Sequence, residues 1–199
     1  MRYGKGMETG QGILPAHRIA ALAEAGAIEL AQPFAQGQIQ PASLDLRLAK
    51  RAWRMRASFL PGPDRPVSAC IENLALHEID LDRGAVLETG CVYVAELMET
   101  LALPADIAAA ANPKSSTGRI DAFTRVITDR ARAFDTIEEG YRGRLYAEIS
   151  PRTFPVLVRA GSRLSQARFR RGHARLDDAG HVELHARERL VASLSLIHI

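Results

Sequence analysis

Ser43-Leu44-Asp45-Leu46-Arg47-Leu48 is the stretch that decides the fold class. Its leucines alternate with serine, aspartate and arginine, the period of two that sends successive side chains to opposite faces of an extended chain. A helical face would need apolar residues three and four apart. The stretch therefore predicts a strand with one buried leucine face and one polar face. Trp53 and Met55 against Arg54 and Arg56 continue the alternation.

The flanks follow the same logic. Before the strand, PAHRIAALAEA (15–25) predicts a short helix, with a proline suited to the first helical position, good helix formers and Gly26 as a stop. Ile19, Leu22 and Ala23 share one of its faces, and AQPFAQGQ (31–38) reads as a loop. After the strand, LPGPDRP (60–66) is a turn-rich connection. Further strands are expected at 85–88, 91–97, 124–128, 145–149, 154–159 and 164–169. Turns at Asp82–Gly84, Thr89–Gly90, Gly140–Gly143 and Ala160–Gly161 punctuate them. Many short strands with regular turn signals predict an all-β sandwich or barrel. One domain over 13–172 is expected, after a flexible lead-in at 1–12. Residues 173–199 read as a linker or the start of a truncated second domain. Within them, Arg175 to Leu190 has helix-like spacing of Val182, His185 and Arg189, interrupted by Gly180, and the closing SLSLIHI has no evident barrel partner.

Composition bounds the function. With 199 residues, 47% hydrophobic and 25% charged, the chain is ordinary for a globular protein. It lacks the run of about 18 apolar residues that a membrane helix needs. MRYGKGMETGQGILP has no apolar core resembling a secretory signal, so a cytoplasmic protein without a membrane role is expected. Cys70 and Cys91 lack zinc-ligand spacing and are read as reduced, partly buried thiols in strand-like surroundings. The net charge of +3 suits an anionic ligand. The arginines are spread along the chain, with a local concentration from Arg163 to Arg175, and aromatic stacking residues are scarce. This favours a phosphate-bearing small molecule over nucleic acid.

Three segments carry chemistry. NPKSSTGR (112–119) offers Lys114, the hydroxyls of Ser115, Ser116 and Thr117, the small Gly118 and the guanidinium of Arg119. Small residues let amides approach an anion, and arginine binds two phosphate oxygens at once; a loop with solvated charges is the alternative. GYRG (140–143) then feeds LYAEIS (145–150), where Leu145, Ala147 and Ile149 face one way and Tyr146, Glu148 and Ser150 the other. Glu148 is either a general acid/base in a pocket or a solvent-facing strand carboxylate. In QPASLDLRL (40–48) a structural Asp45–Arg47 network is expected in preference to catalysis.

In this order, the segments resemble the dCTP deaminase branch of the dUTPase superfamily. QPASLDLRL resembles that family's first signature, KSSTGR its nucleotide loop, and GYRGRLYAEIS its turn and catalytic strand; AGSRLSQARF (160–169) resembles a later strand. The resemblance covers roughly 13–172 and is closest to the double-length subgroup, of which this chain would be the N-terminal half. It implies a mainly β fold: a dUTPase-like distorted β-barrel (β-clip) with a short N-terminal helix and a helical or irregular C-terminal segment. It also implies a homotrimer, or a pseudo-trimeric assembly through a fused second domain, with active sites between subunits.

The activity implied is zinc-independent deamination of dCTP to dUTP and ammonia, within dUMP/dTTP biosynthesis. Glu148 would be the general acid/base, Ser115 would hold the water, and Arg119 would lie beside Glu148. Lys114, Ser116, Thr117 and Gly118 would cradle a triphosphate carrying Mg²⁺. Tyr146 and Ala147 would meet the base through their backbone, Gln166 belongs to the later substrate-binding strand, and Asp135 would contact the sugar, with Glu138 as its rival. Lys114 and Gly118 depart from the family's arginine and alanine, and the family's C-terminal closing tail has no match. The alternatives are a dUTP diphosphatase, an enzyme performing both steps, or a non-catalytic nucleotide-binding half-domain.

Overall fold

The computed structural model describes residues 10–173 and 176–190. Most of the lead-in, Arg175 at the start of the Arg175–Leu190 segment, and the closing SLSLIHI lie outside them. The chain order is β1 (Gly12–Ile13), α1 (Ala16–Glu24), β2 (Ile28–Leu30), β3 (Ile39–Gln40), β4 (Ser43–Met55), α2 (Val67–Leu74), β5 (Ala75–Asp80), β6 (Ala85–Leu87) and β7 (Val92–Ala102). There follow β8 (Ile107–Pro113), α3 (Ser115–Arg119), β9 (Ala122–Thr128), β10 (Thr136–Ile137), β11 (Arg142–Pro151), β12 (Val156–Val158), β13 (Arg163–Arg171) and α4 (Asp178–Glu188).

The main sheet runs β10-β8-β13-β4-β7-β11-β9, with β1 on β13, β2 on β7, and β3 and β5 on β4; β12 and β6 form a separate pair. Its two edges are stitched through Asp135 in the β9–β10 loop: Asp135 N donates to Val126 O at 2.8 Å, and Ala111 N donates to Asp135 O at 2.8 Å. The result is the mainly β, distorted barrel that the resemblance implies.

Leu44, Leu46 and Leu48 are fully buried in the main core, with Leu145, Ala147, Ile149, Ala167 and Phe169 from neighbouring strands. Burying each leucine, isoleucine or phenylalanine of this set contributes about 1.5–3 kcal/mol. A second core lies on the other face, where Trp53, Met55, Val67, Ile71, Val94, Ile127 and Tyr146 meet. The central strands are thus covered on both sides, and the polar face of SLDLRL is buried as well: Asp45 is 1% and Arg47 4% exposed.

That burial corrects the expected Asp45–Arg47 network. Arg47 donates from Nε to Glu99 at 2.8 Å and from its two Nη atoms to the carbonyls of Pro33 and Gln32, pinning the 31–38 loop. Asp45 pairs with Lys114 and Arg163 instead. Several elements differ from expectation. Cys70 lies on α2, a helix that alternation did not reveal. The alanine-rich β8 shows no contrast of residue type along its length. In α4, Gly180 donates its amide to Asp177 at 2.8 Å, so it belongs to the capped first turn and does not interrupt the helix.

Candidate active site

The start of β4, the segment at Lys114 and Ser115, and β13 meet because β13 lies between β4 and β8. Gln166 faces Asp45 on one side and Asn112 on the other. Between them opens a cleft of about 380 Å³ lined by Gln40, Ser43, Lys114, Ser115, Gln166 and Arg168, with Pro41 and Ala42. The first signature, the nucleotide loop and Gln166 are therefore brought together. Lys114 Nζ is held by Asp45 Oδ2, and Arg163 Nη1 approaches the same oxygen at 3.5 Å. Ser43 Oγ donates to Gln166 Oε1 at 2.9 Å. The cleft presents a lysine, an arginine, hydroxyls and side-chain amides, a donor set suited to phosphate oxygens.

The loop expected to cradle phosphate is the short helix α3. Ser115, Ser116 and Gly118 are exposed on it. Thr117 is not: it is 2% exposed, and its hydroxyl donates to Leu164 O at 2.8 Å. Thr117 therefore anchors α3 on β13 and has no place in the cleft lining, a correction to its expected role. Arg119 is exposed, and its Nε donates to Ser115 O at 3.4 Å.

A second constellation is built on β9 and β11. Glu148 lies opposite Arg125 and Val94 on its two neighbouring strands and is 2% exposed, which removes the solvent-facing alternative. Its Oε1 accepts from Arg125 Nε at 3.1 Å and Nη2 at 2.5 Å. Its Oε2 is buried and has no hydrogen-bond partner among the described residues. Arg125 also donates to Ser58 Oγ at 2.9 Å, and its guanidinium lies 3.5 Å from the Phe134 ring centre and 4.9 Å from that of Phe123.

Asp135 belongs to this neighbourhood, since the charges of Arg125 and Glu148 both act on it. Burial, the largest cause, pushes its carboxyl up from the ordinary value, against the hydrogen bond from Val126 N at 2.7 Å. Its backbone has φ +60, a left-handed conformation uncommon outside glycine. Glu138, the rival sugar ligand, is exposed and lines a different cleft of about 590 Å³ with Arg130, Arg132, Tyr141 and Arg142. Asp135 is thus the acid that shares surroundings with Glu148. Tyr146 and Ala147 are buried, and Ala147 sits between Ala95 and Val126 of the flanking strands. Enclosed by sheet on both sides, their backbone offers no open edge to a base within one chain. Burial also pushes the Tyr146 phenol up.

The two constellations do not touch through any hydrogen bond or ion pair among the described residues. Within the single chain, the guanidinium beside Glu148 is that of Arg125, while Arg119 lies on α3 in the other constellation. Arg125, Phe134 and Ser58 were missed in the sequence. The available signal was the alternation of Phe123, Arg125 and Ile127, which places Arg125 on one face of a strand; that this face meets Glu148 depends on strand pairing. Among the described residues, no three His, Cys, Asp or Glu side chains cluster as metal ligands.

Residues 10–173 match the family described as 2'-deoxycytidine 5'-triphosphate deaminase (DCD) N-terminal domain. A protein of Beutenbergia cavernae named "dCTP deaminase, dUMP-forming" is 33% identical over 143 residues, 69% of this chain and 68% of that protein. One of the same name from Pseudarthrobacter chlorophenolicus is 30% identical over 139 residues, 69% of each chain. The crystal structure of 2'-deoxycytidine 5'-triphosphate deaminase from Agrobacterium tumefaciens superposes with a TM-score of 0.86 at 58% identity, covering 92% of this chain. The present chain spans 55% of the length of that structure. With its matched span embracing both constellations, the chain belongs to the dCTP deaminase family.

Proposed function

We propose that this chain carries the hydrolytic deamination of dCTP, with Glu148 as general acid/base. The observation that supports the reading is a carboxylate 2% exposed whose Oε2 has no partner. Leaving a buried acceptor unsatisfied costs about 1–3 kcal/mol, a penalty that a substrate or water completing the bond would relieve. In the reaction, a water oxygen attacks C4 of the cytosine while one of its protons passes through Glu148 to the ring nitrogen N3. The hydroxyl proton of the resulting adduct then moves through Glu148 to the exocyclic amine. The C4–N bond breaks, ammonia leaves, and a uracil carbonyl remains. Ser115 would hold the attacking water, and Arg119 would orient the base or phosphates. Lys114, Ser116 and Gln166, with the amides near Gly118, would bind the triphosphate, which arrives as its Mg²⁺ complex. Asp135 would contact the sugar.

Because Glu148 and Ser115 do not touch within one chain, the site is read as completed between subunits of a trimeric or pseudo-trimeric assembly. The first product is dUTP. A second reading, in which dUTP is hydrolysed further to dUMP, is favoured by the relatives named as dUMP-forming. With dCTP and Mg²⁺, Glu148→Gln is expected to lower ammonia release at least about 100-fold while nucleotide binding persists, the scale of general acid–base catalysis. Full activity in that variant removes Glu148 from the mechanism. Chromatography of the wild-type products separates dUTP from dUMP and so decides between the two readings.

A further inference from the structure

We infer that Arg125 is the positioning residue of the Glu148 carboxylate, locking Oε1 and leaving Oε2 as the oxygen that exchanges the proton. The inference rests on the reading of Glu148 as general acid/base and assigns the work to one of its two oxygens. An arginine fork that serves only to stabilise an ion pair gives one N–H to each carboxylate oxygen. Here Nε at 3.1 Å and Nη2 at 2.5 Å converge on Oε1 alone. Oε2 is left buried and unbonded. A pair built for stability would not leave that acceptor bare. A carboxylate held through one oxygen cannot exchange its two oxygens by rotation, so its open lone pairs keep a fixed direction.

The guanidinium is itself immobilised. It stacks on Phe134 at 3.5 Å and lies 4.9 Å from Phe123, while Ser58 Oγ accepts from Nη2 at 2.9 Å. Phe134 adjoins Asp135, whose carboxylate and backbone are tied to Val126 on β9. The loop expected to touch the sugar and the residue that aims the carboxylate are consequently one rigid unit. Lysine keeps the charge but lacks both the fork and the flat stacking surface.

The test uses the full chain with dCTP and Mg²⁺, measuring ammonia release and nucleotide binding for Arg125→Ala and Arg125→Lys. The expected result is a kcat reduced by at least about 100-fold in the alanine variant and at least about tenfold in the lysine variant, with KM and nucleotide Kd within about threefold of wild type. Millimolar guanidinium chloride should restore at least about tenfold of the activity of folded Arg125→Ala, whereas sodium chloride at equal ionic strength should not. Wild-type kcat in either variant overturns the inference, as does a deficit in folded Arg125→Ala that guanidinium leaves untouched. If the alanine variant fails to fold, Arg125→Lys decides: reduced kcat with retained binding supports the inference, and unchanged kcat refutes it. Glu148→Gln, run alongside, separates the two claims. Activity in that variant defeats the general acid/base reading, whereas an inactive Glu148→Gln beside a fully active Arg125→Lys defeats only the role of Arg125.

Discussion

Asp45 and Arg47 stand two residues apart on one strand face, yet each is neutralised by a residue far away in the chain. Arg47 is 4% exposed and Glu99 fully buried, and Glu99 accepts from Arg47 Nε at 2.8 Å, Arg47 N at 2.9 Å and Gln38 Nε2 at 2.7 Å. With every partner satisfied, the pair ties β4 to β7 and to the 31–38 loop. Removing one member strands the other charge in the interior, which costs about 3–5 kcal/mol. Glu99→Leu should therefore lower unfolding stability by that amount in urea titration, although leucine is the more hydrophobic residue. A loss below about 1 kcal/mol would show that Arg47 finds another partner. The sequence displayed these side chains and their common face. It could not display the partners, which lie 52 positions away for Arg47 and 69 for Asp45.

At the scale of elements, the entry into β11 from the loop after β10 depends on one glycine. Gly143 has φ +155, and a Cβ built there would come within 2.7 Å of the Tyr141 hydroxyl. That hydroxyl donates to Arg144 O at 2.6 Å and accepts from Asp129 N at 3.1 Å. Burial pushes the Tyr141 phenol far up, so it remains a donor across the working pH range. Gly143→Ala should displace the tyrosine, break both bonds and cost about 1–3 kcal/mol, with a matching fall in Tm. An unchanged melting curve would mean that the ring has room to move. The same element was largely legible beforehand: the Gly-x-x-Gly turn and the alternation of Leu145, Ala147 and Ile149 located β11, although it extends over Arg142–Pro151. The less legible elements were those without contrast along their length. In β8 alanine serves both exposed and buried positions, and α2 is too short for its period to stand out from the turn-rich connection before it.

For the whole molecule, the barrel keeps two groups of chemistry-bearing residues apart in each chain, and the proposed activity needs them to meet. Chains bearing Glu148→Gln and chains bearing Ser115→Ala, each inactive alone, should regain activity when denatured together and refolded in equal amounts. Random assembly gives roughly a quarter of the sites both native residues when a site draws them from different subunits. No recovery would place both residues of a site in one chain. Sequence by itself determined the alternation that makes a β-rich barrel, the segments that assign the family, and the candidacy of Glu148, because these are read from residues within a few positions of one another. Tertiary structure decided that Glu148 is buried, that Arg125 of the same chain holds it, and that Thr117 faces β13 and not the cleft. Each depends on which strands lie side by side, and strand pairing is set by the burial of a whole core rather than by any local stretch.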